Sequence, residues 1–481
     1  MADLFSHPSD DAGAHFDQSG WIGSGTGERK VDAARLDVPE TGVYCVTVTL
    51  SSDAMLFGQR RNLIDPSAKA GTRSFLTCLT EYIPSMQSRV NGDRILFASA
   101  VFGRITEIRA ERTDARRVFI AGDSTVADQY ALAEYYPCDS YAGWGQMLSC
   151  FLPEDAVCNM AHSGLTAKCF IEDGHFEIVK RYMKAGDLLL IQFGHNDQKR
   201  REGQARAKYP AYLAEIAGAA LSVGAKPVLL SPVSRVPSYD AAGAFDLLYD
   251  HAQAVGKLAE RLGLPFIDLH AFTYGRYLAM GEKCRDLFKD LTHSNDPGAF
   301  EIARFVAQKL AFFGLCRAVF PEAGFIAGDR TKNPHSPRPA PLPVPYVDIG
   351  DVPDSRVVFE AVQKGLLDPC VLHMHPFDPM PRAEFIQKLF RALGLKTMPT
   401  DGVAPYPDVS AREFDAPYAA ACRKTGLVPE EAYRPDDPVS SPEVNGMLKN
   451  LKIDARLTDT PMYPAKYELI RLLLTLCSNQ R

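Results

Sequence analysis

Four short stretches carry the residue types that acyl transfer needs. Gly122-Asp123-Ser124-Thr125 follows an apolar run and sets a hydroxyl on the turn that comes next. Alone it is an ordinary turn and helix-cap sequence, because Asp and Ser side chains bond readily to nearby backbone N–H groups. Three further stretches change its meaning: Asn159-Met160-Ala161-His162-Ser163-Gly164, Gly194-His195-Asn196-Asp197 and Asp290-Leu291-Thr292-His293. Ester hydrolysis requires a nucleophile, a base to take its proton, a group to orient the base, and donors aimed at the tetrahedral oxyanion. Ser124 is the candidate nucleophile and His293 the base. Asp290, three residues earlier on the same loop, can reach the other ring nitrogen and fix the tautomer. The N–H groups of Ser124 and Gly164 and the side-chain amide of Asn196 are the candidate oxyanion donors, since glycine allows close backbone approach and asparagine offers a neutral N–H.

Around these lie supporting or substrate-contacting candidates: Asp123, His195, Asp197, Arg200 and Arg201. His195 and Asp197 flank Asn196 and read as residues that orient its loop, with a second catalytic pair as the rival. Lys199, Arg200, Arg201, Arg206 and Lys208 follow, opposed only by Asp197 and Glu202. Such a stretch is either a solvated basic loop or an attractor for the carboxylates of an acidic glycan. His162 either lines the pocket or is a hydrogen-bonded loop histidine. Trp144, in Gly143-Trp144-Gly145, either stacks on a sugar or packs in the core.

The elements that must position these residues are legible in the apolar pattern. The runs VFIAG, AVCNMA, LLLIQFG, PVLLSPV and PFIDL recur from Val118 onward with room for a helix between successive pairs. That alternation predicts an α/β fold with a parallel sheet between helices, and in open sheets of this kind ligands bind at the carboxyl ends of the strands. All four stretches follow such ends. From about Val43 to Arg112, short alternating β-rich runs separated by Gly, Asp, Ser and Asn turns predict a preceding β-sandwich. Six prolines between Asn333 and Pro345 predict a stiff linker. Beyond it the chain repeats itself. Asp348 is echoed by Asp408 at an offset of 60 residues and Glu384 by Glu443 at 59, which predicts two copies of a helix–loop–helix module. The expected domains are therefore 1–115, 116–325 and 346–481, with 326–345 as linker.

Composition narrows the function classes. At 46% apolar and 23% charged residues the chain reads as ordinary globular protein, and its net charge of -6 is spread without long runs of one sign, so neither nucleic acid nor a membrane surface is an expected partner. Eleven cysteines at irregular spacings, with no C-x-x-C pair, predict reduced core thiols. The first twenty residues hold no basic leader or apolar core, so the sequence as it stands predicts a cytoplasmic protein. A leader preceding it would make the protein secreted or wall-associated.

The four stretches, in this order and at strand ends, resemble the SGNH/GDSL hydrolase superfamily, and the wording GDST, GHND and DLTHSNDPGA resembles its rhamnogalacturonan acetylesterase branch. The resemblance covers about Arg116 to Val319. It implies a five-stranded parallel sheet between helices, no metal and no cofactor, the roles given above for Ser124, Gly164, Asn196, His293 and Asp290, and removal of acetyl groups from an acetylated carbohydrate. Pectin-type rhamnogalacturonan is the first expectation and xylan the second. A GDSL lipase or thioesterase, and a glycan-binding protein with a silent hydrolase domain, are the alternatives. After Gly164 the family often has a polar pair, whereas this chain has Leu165-Thr166-Ala167, a difference that bears on sugar contacts. The C-terminal repeats resemble S-layer homology modules, with Pro381-Arg382-Ala383-Glu384 at one helix start, Ser441 at the arginine position of the second copy, and a third copy reduced to the helical tail Ala465–Leu476. That resemblance implies a cell-wall polysaccharide partner, and a degenerate module that packs on the enzyme or self-associates is the rival.

Overall fold

A computed structural model describes residues 15–17, 31–83, 94–101, 103–129, 140–201, 203–205, 207–240, 243–322, 346–429, 431–458 and 460–478. The proline-rich stretch lies outside the described residues. The β-rich region forms β1 (His15–Asp17), β2 (Val31–Asp37), β3 (Gly42–Leu50), β4 (Ala54–Phe57), β5 (Leu63–Ala68), β6 (Gly71–Leu79), β7 (Ile95–Val101) and β8 (Ile105–Thr113). These make two antiparallel sheets, ordered β1-β2-β7-β4-β5 and β6-β3-β8. In β3 the period-two pattern turns Val46, Val48 and Leu50 inward while Thr47 and Thr49 stay half-exposed. The buried residues join Ala34, Leu56, Phe75, Leu96 and Ala98 in one apolar cluster fed by both sheets. Each fully buried Val or Leu contributes roughly 1.5–3 kcal/mol.

The later apolar runs become β9 (Arg117–Gly122), β10 (Ala156–Asn159), β11 (Leu188–Gln192), β12 (Lys226–Leu230) and, after the short hairpin β13 (Ser238–Asp240) and β14 (Gly243–Phe245), β15 (Phe266–Ile267). They pair in parallel in the order β10-β9-β11-β12-β15, the five-stranded sheet that was expected. Val118, Ile120, Leu188, Leu190, Val228 and Leu230 enter one cluster, while their neighbours Phe119, Ala121, Leu189, Ile191 and Leu229 are equally buried on the other face. Both faces are therefore covered, which is why the strands read as unbroken apolar runs. The helices between and after the strands are α1 (Ala167–Glu172), α2 (His175–Tyr182), α3 (Tyr209–Ser222), α4 (Tyr249–Leu262), α5 (Leu269–Met280) and α6 (Asp296–Phe312). Phe57, Leu63 and Val101 from the β-rich region belong to the same cluster as Val118, Trp144 and Met147. The β-rich strands thus pack directly on the parallel-sheet core.

The chain divides into two compact units. One comprises Met1–Phe193, Pro210–Val236 and Ala252–Ala340, and the other Gly194–Tyr209, Pro237–His251 and Pro341–Arg481. Two segments inside the 116–325 stretch thus group with the C-terminal residues. The second unit carries α7 (Ser355–Gln363), α8 (Arg382–Ala392), α9 (Ala416–Thr425), α10 (Ser441–Asn450) and α11 (Lys466–Ser478). The repeated residues make repeated bonds. The Asp348 carboxylate accepts from the backbone N–H groups of Met374 and His375, and the Asp408 carboxylate from those of Tyr433 and Arg434. The start of α8 docks on the second copy's loop through Arg382 N to Asp437 O and Ala383 N to Pro435 O. The start of α11 docks on the first copy's loop through Lys466 N to Asp378 O and Tyr467 N to Pro376 O. Arg382 pairs with Glu443, and Lys466 with Glu384 at 3.4 Å. At the corresponding position Ser441 instead bonds to Thr460 Oγ1 and Pro461 O.

Candidate active site

Ser124 sits on the turn that leaves β9, and two features of the sequence shape that turn. A Cβ at Gly122 would stand 2.8 Å from Val126 Cγ2 and 2.9 Å from Gln192 O, so only glycine fits. Asp123 Oδ1 accepts from both the backbone N–H and the hydroxyl of Thr125, at 2.9 and 2.8 Å, closing an Asx-type turn. Asp123 therefore supports the backbone of the Ser124 turn. Gln192, at the end of β11, donates to Thr125 Oγ1 and accepts from Trp144 Nε1 at 2.8 Å. Trp144 is fully buried, which places it in the core and away from a sugar.

His293 is held from both sides. Asp290 Oδ1 accepts the N–H groups of Thr292 and His293, each at 2.7 Å, while Oδ2 stands 2.8 Å from His293 Nδ1. The opposite ring nitrogen, Nε2, is 2.8 Å from Ser124 Oγ. Burial raises the Asp290 carboxyl, but the His293 ring and the two backbone N–H groups outweigh it and hold the group well below the usual carboxylate range. It is ionised at neutral pH, so Nδ1 carries the proton and Nε2 is left to accept from Ser124. Three contacts fix the turn itself. Arg235 Nη1 donates to Thr292 Oγ1 at 2.6 Å, Val236 N donates to Leu291 O, and Asn295 caps α6 by accepting from Gly298 N at 3.1 Å. Tyr141 presents its ring edge-on to His293 at 5.8 Å, with its hydroxyl 3.5 Å from Asp290 Oδ2.

Gly164 ends the loop after β10, and its φ of 81° lies in the left-handed region that favours glycine. The loop is registered against β9 by His162 N to Gly122 O, 3.1 Å. His162 is buried, with its ring nitrogens against Ala161 O and Ile83 O, and burial pushes its pKa down to about 4. It is a loop histidine.

The other predicted residues lie in the segment Gly194–Tyr209. Asn196 Oδ1 accepts from Lys199 Nζ at 3.0 Å, which leaves the amide N–H side as its donor. His195 and Asp197 are buried, and the loop closes through Gln198 N to Gly194 O and Arg200 N to Asp197 O. Within the basic stretch, Arg201 is largely buried and pairs with acids. It reaches Glu413 at 2.7 Å, Asp436 at 2.7 Å and Asp415 at 3.5 Å, carboxylates of its own chain. Arg200 lies 4.0 Å from Glu384. Lys208 is exposed, and Arg206 lies outside the described residues. Sequence reading gave no role to Gln192, Tyr141 or Arg235, single polar residues whose partners are far along the chain, and no motif marks them. Among the described residues no group of three or more His, Cys, Asp or Glu could hold a metal ion, and no helix is long and apolar enough to cross a membrane.

A hydroxyl bonded to a carboxylate-oriented imidazole can be deprotonated as it attacks a carbonyl. Known proteins share this part of the chain. The model of the GDSL-like lipase/acylhydrolase family matches residues 120–299, which contain all four stretches. Rhamnogalacturonan acetylesterase RhgT of Bacillus subtilis (strain 168) is 34% identical over 221 residues, 41% of this chain and 91% of that protein. The probable rhamnogalacturonan acetylesterase YesY of the same organism is 29% identical over 213 residues, 42% of this chain and 95% of that protein. The crystal structure of protein YXIM from Bacillus subtilis matches 63% of this chain and 92% of that chain, with 22% identity and a TM-score of 0.40.

Proposed function

From the premise that the chain belongs to the GDSL-like lipase/acylhydrolase family and is an esterase, we propose that it removes acetyl groups from a plant polysaccharide through a Ser124 acyl-enzyme. Rhamnogalacturonan of pectin is the first-choice substrate and xylan the second. The observation that carries the mechanism is the unbroken relay Ser124 Oγ, His293 Nε2, His293 Nδ1, Asp290 Oδ2, with 2.8 Å at each hydrogen bond. His293 takes the Ser124 proton as Oγ attacks the acetyl carbonyl. The tetrahedral oxyanion is held by the N–H groups of Ser124 and Gly164 and by the Asn196 amide. The imidazolium, stabilised by ionised Asp290, then protonates the departing sugar oxygen, and water activated by the same ring releases acetate. The substrate class is supported by the relatives named as rhamnogalacturonan acetylesterases.

The C-terminal repeats are read as a reduced form of S-layer homology modules, whose partner is a wall polysaccharide or a second copy of the chain. Sedimentation with purified cell walls and by itself separates the two.

Acetate release from acetylated rhamnogalacturonan, acetylated xylan and long-chain nitrophenyl esters, run beside Ser124→Ala, tests the enzymatic reading. The expected result is acetate from the polysaccharides, with the variant down by roughly a millionfold in kcat. Preference for the long-chain esters would overturn the carbohydrate assignment, and an active Ser124→Ala the mechanism.

A further inference from the structure

Between β4 and β5 the chain makes the tight turn Gln59–Arg61, and its two arginines adopt a backbone that side chains rarely occupy. Arg60 and Arg61 have φ of 48° and 56°, the left-handed region in which a Cβ crowds the following carbonyl. The turn is locked by Gly58 N to Asn62 O at 2.8 Å, Asn62 N to Gln59 O at 2.9 Å, and Asn62 Nδ2 to Gln59 O at 2.7 Å. A conformation this unfavourable persists when its surroundings over-determine it. Here both side chains are buried against the parallel-sheet region.

Arg60 reaches Asp128 Oδ2 at 2.8 Å and Asn159 O at 2.9 Å. Arg61 does more. Its Nη1 donates to Asp296 Oδ1 at 2.8 Å, and its Nη2 to Tyr141 O at 2.6 Å, Gln129 O at 3.1 Å and Gln146 Oε1 at 3.3 Å. Gln146 closes the network by donating to Arg60 O and Gln129 O and accepting from Gln129 N. The segments that receive these bonds are those that hold the reacting groups. Gln129 Nε2 donates to Ser124 O. Tyr141 lies against His293 and Asp290. Asp296 opens α6 immediately after the His293 turn. A packing arginine needs burial and one counterion, whereas this one spans three segments in a fork that only a guanidinium provides.

We infer that Arg61 is a positioning residue for ester hydrolysis: from the β-rich region it sets the separation of Ser124 and His293 through Gln129, Tyr141 and Asp296. The inference rests on Ser124 as nucleophile and His293 as base. Losing the fork frees the 124–129 turn to move relative to 290–296. A displacement on the order of 1 Å between reacting groups lowers the rate by roughly a hundredfold. Because ground-state binding is untouched, the loss falls on kcat and leaves KM in place.

The test uses the full chain and two variants. Arg61→Gln/Asp296→Asn removes both buried charges together, so that neither is left uncompensated. Arg61→Lys keeps a charge beside Asp296 but cannot span the fork. Kinetics on nitrophenyl acetate, near-ultraviolet circular dichroism, and labelling of Ser124 by a fluorophosphonate are compared with wild type. The expected result in each folded variant is kcat lower by roughly ten- to a hundredfold, KM unchanged, and Ser124 labelled more slowly by the same factor. Unchanged kcat in a folded variant, or a rise in KM alone, overturns the inference while wild-type labelling at Ser124 leaves the nucleophile standing. Wild type that is not labelled at Ser124 removes the nucleophile and this inference with it.

Discussion

The turn Asp290–His293 and the loop Lys199–Lys208 are both short and rich in ionisable groups, yet they settle their charges at very different distances along the chain. In the first, a carboxylate, an imidazole and two backbone N–H groups within four residues satisfy one another, and Ser124 Oγ, the Tyr141 hydroxyl and Arg235 add to them from elsewhere. In the second, Arg201 finds Glu413, Asp415 and Asp436 more than two hundred residues away. Local spacing is therefore a sound guide to chemistry when the partners lie within one turn, and a poor guide to the fate of an isolated charge.

Three substitutions sharpen or break that contrast. Asp290→Asn leaves the shape of the turn but releases the His293 tautomer, so kcat should fall by roughly ten-thousandfold, about 5.5 kcal/mol in barrier height. Acetate release under saturating substrate measures it, and a drop below tenfold would mean that Asp290 only shapes the turn. Arg201→Ala strips three carboxylates of their shared cation and should lower unfolding stability by roughly 3–5 kcal/mol, the scale for breaking a buried ion pair from one side. Its ratio of activity on acidic and neutral esters should stay constant, and a selective loss on acidic glycans would restore Arg201 as a substrate contact. Asp415→Asn is the mildest. Burial pushes this carboxyl up to about 6 from 3.8 despite Gln387 and Arg201, so the folded state holds the proton more tightly than the unfolded one. Its contribution to stability is present below about pH 4 and is lost as the pH rises to about 6, at most about 3 kcal/mol across that window. Denaturation by urea at pH 4 and pH 7 should show a flatter pH dependence in the variant, and identical slopes would refute the assignment.

Much of the architecture was legible because its signals are periodic. The apolar runs predicted the parallel sheet, since strands covered on both faces need continuous apolar sequence, and Ser124, Asp290 and His293 stand at strand ends or on one loop. The hidden part has one physical character, the solitary polar residue whose partner is distant. Gln192 ties Trp144 to Thr125, and Arg235 pins Thr292, yet neither has a neighbour in sequence that announces it. Arg60-Arg61 was visible as a pair of charges, but its left-handed backbone and its reach to Gln129, Tyr141 and Asp296 belong to tertiary structure. The tail Ala465–Leu476 was legible as a reduced third copy, but the bonds of Lys466 and Tyr467 to Asp378 and Pro376 belong to tertiary structure.

The segment Gly194–Tyr209 groups with the C-terminal residues, and that has a bearing on how such a protein can be cut and joined. A gene trimmed just ahead of Tyr346 would keep Arg201 while discarding Glu413, Asp415 and Asp436. The loop bearing Asn196 would then hold Arg201 without these three carboxylates. Gain or loss of the C-terminal region as a cassette would therefore alter the charge balance of this internal loop as well.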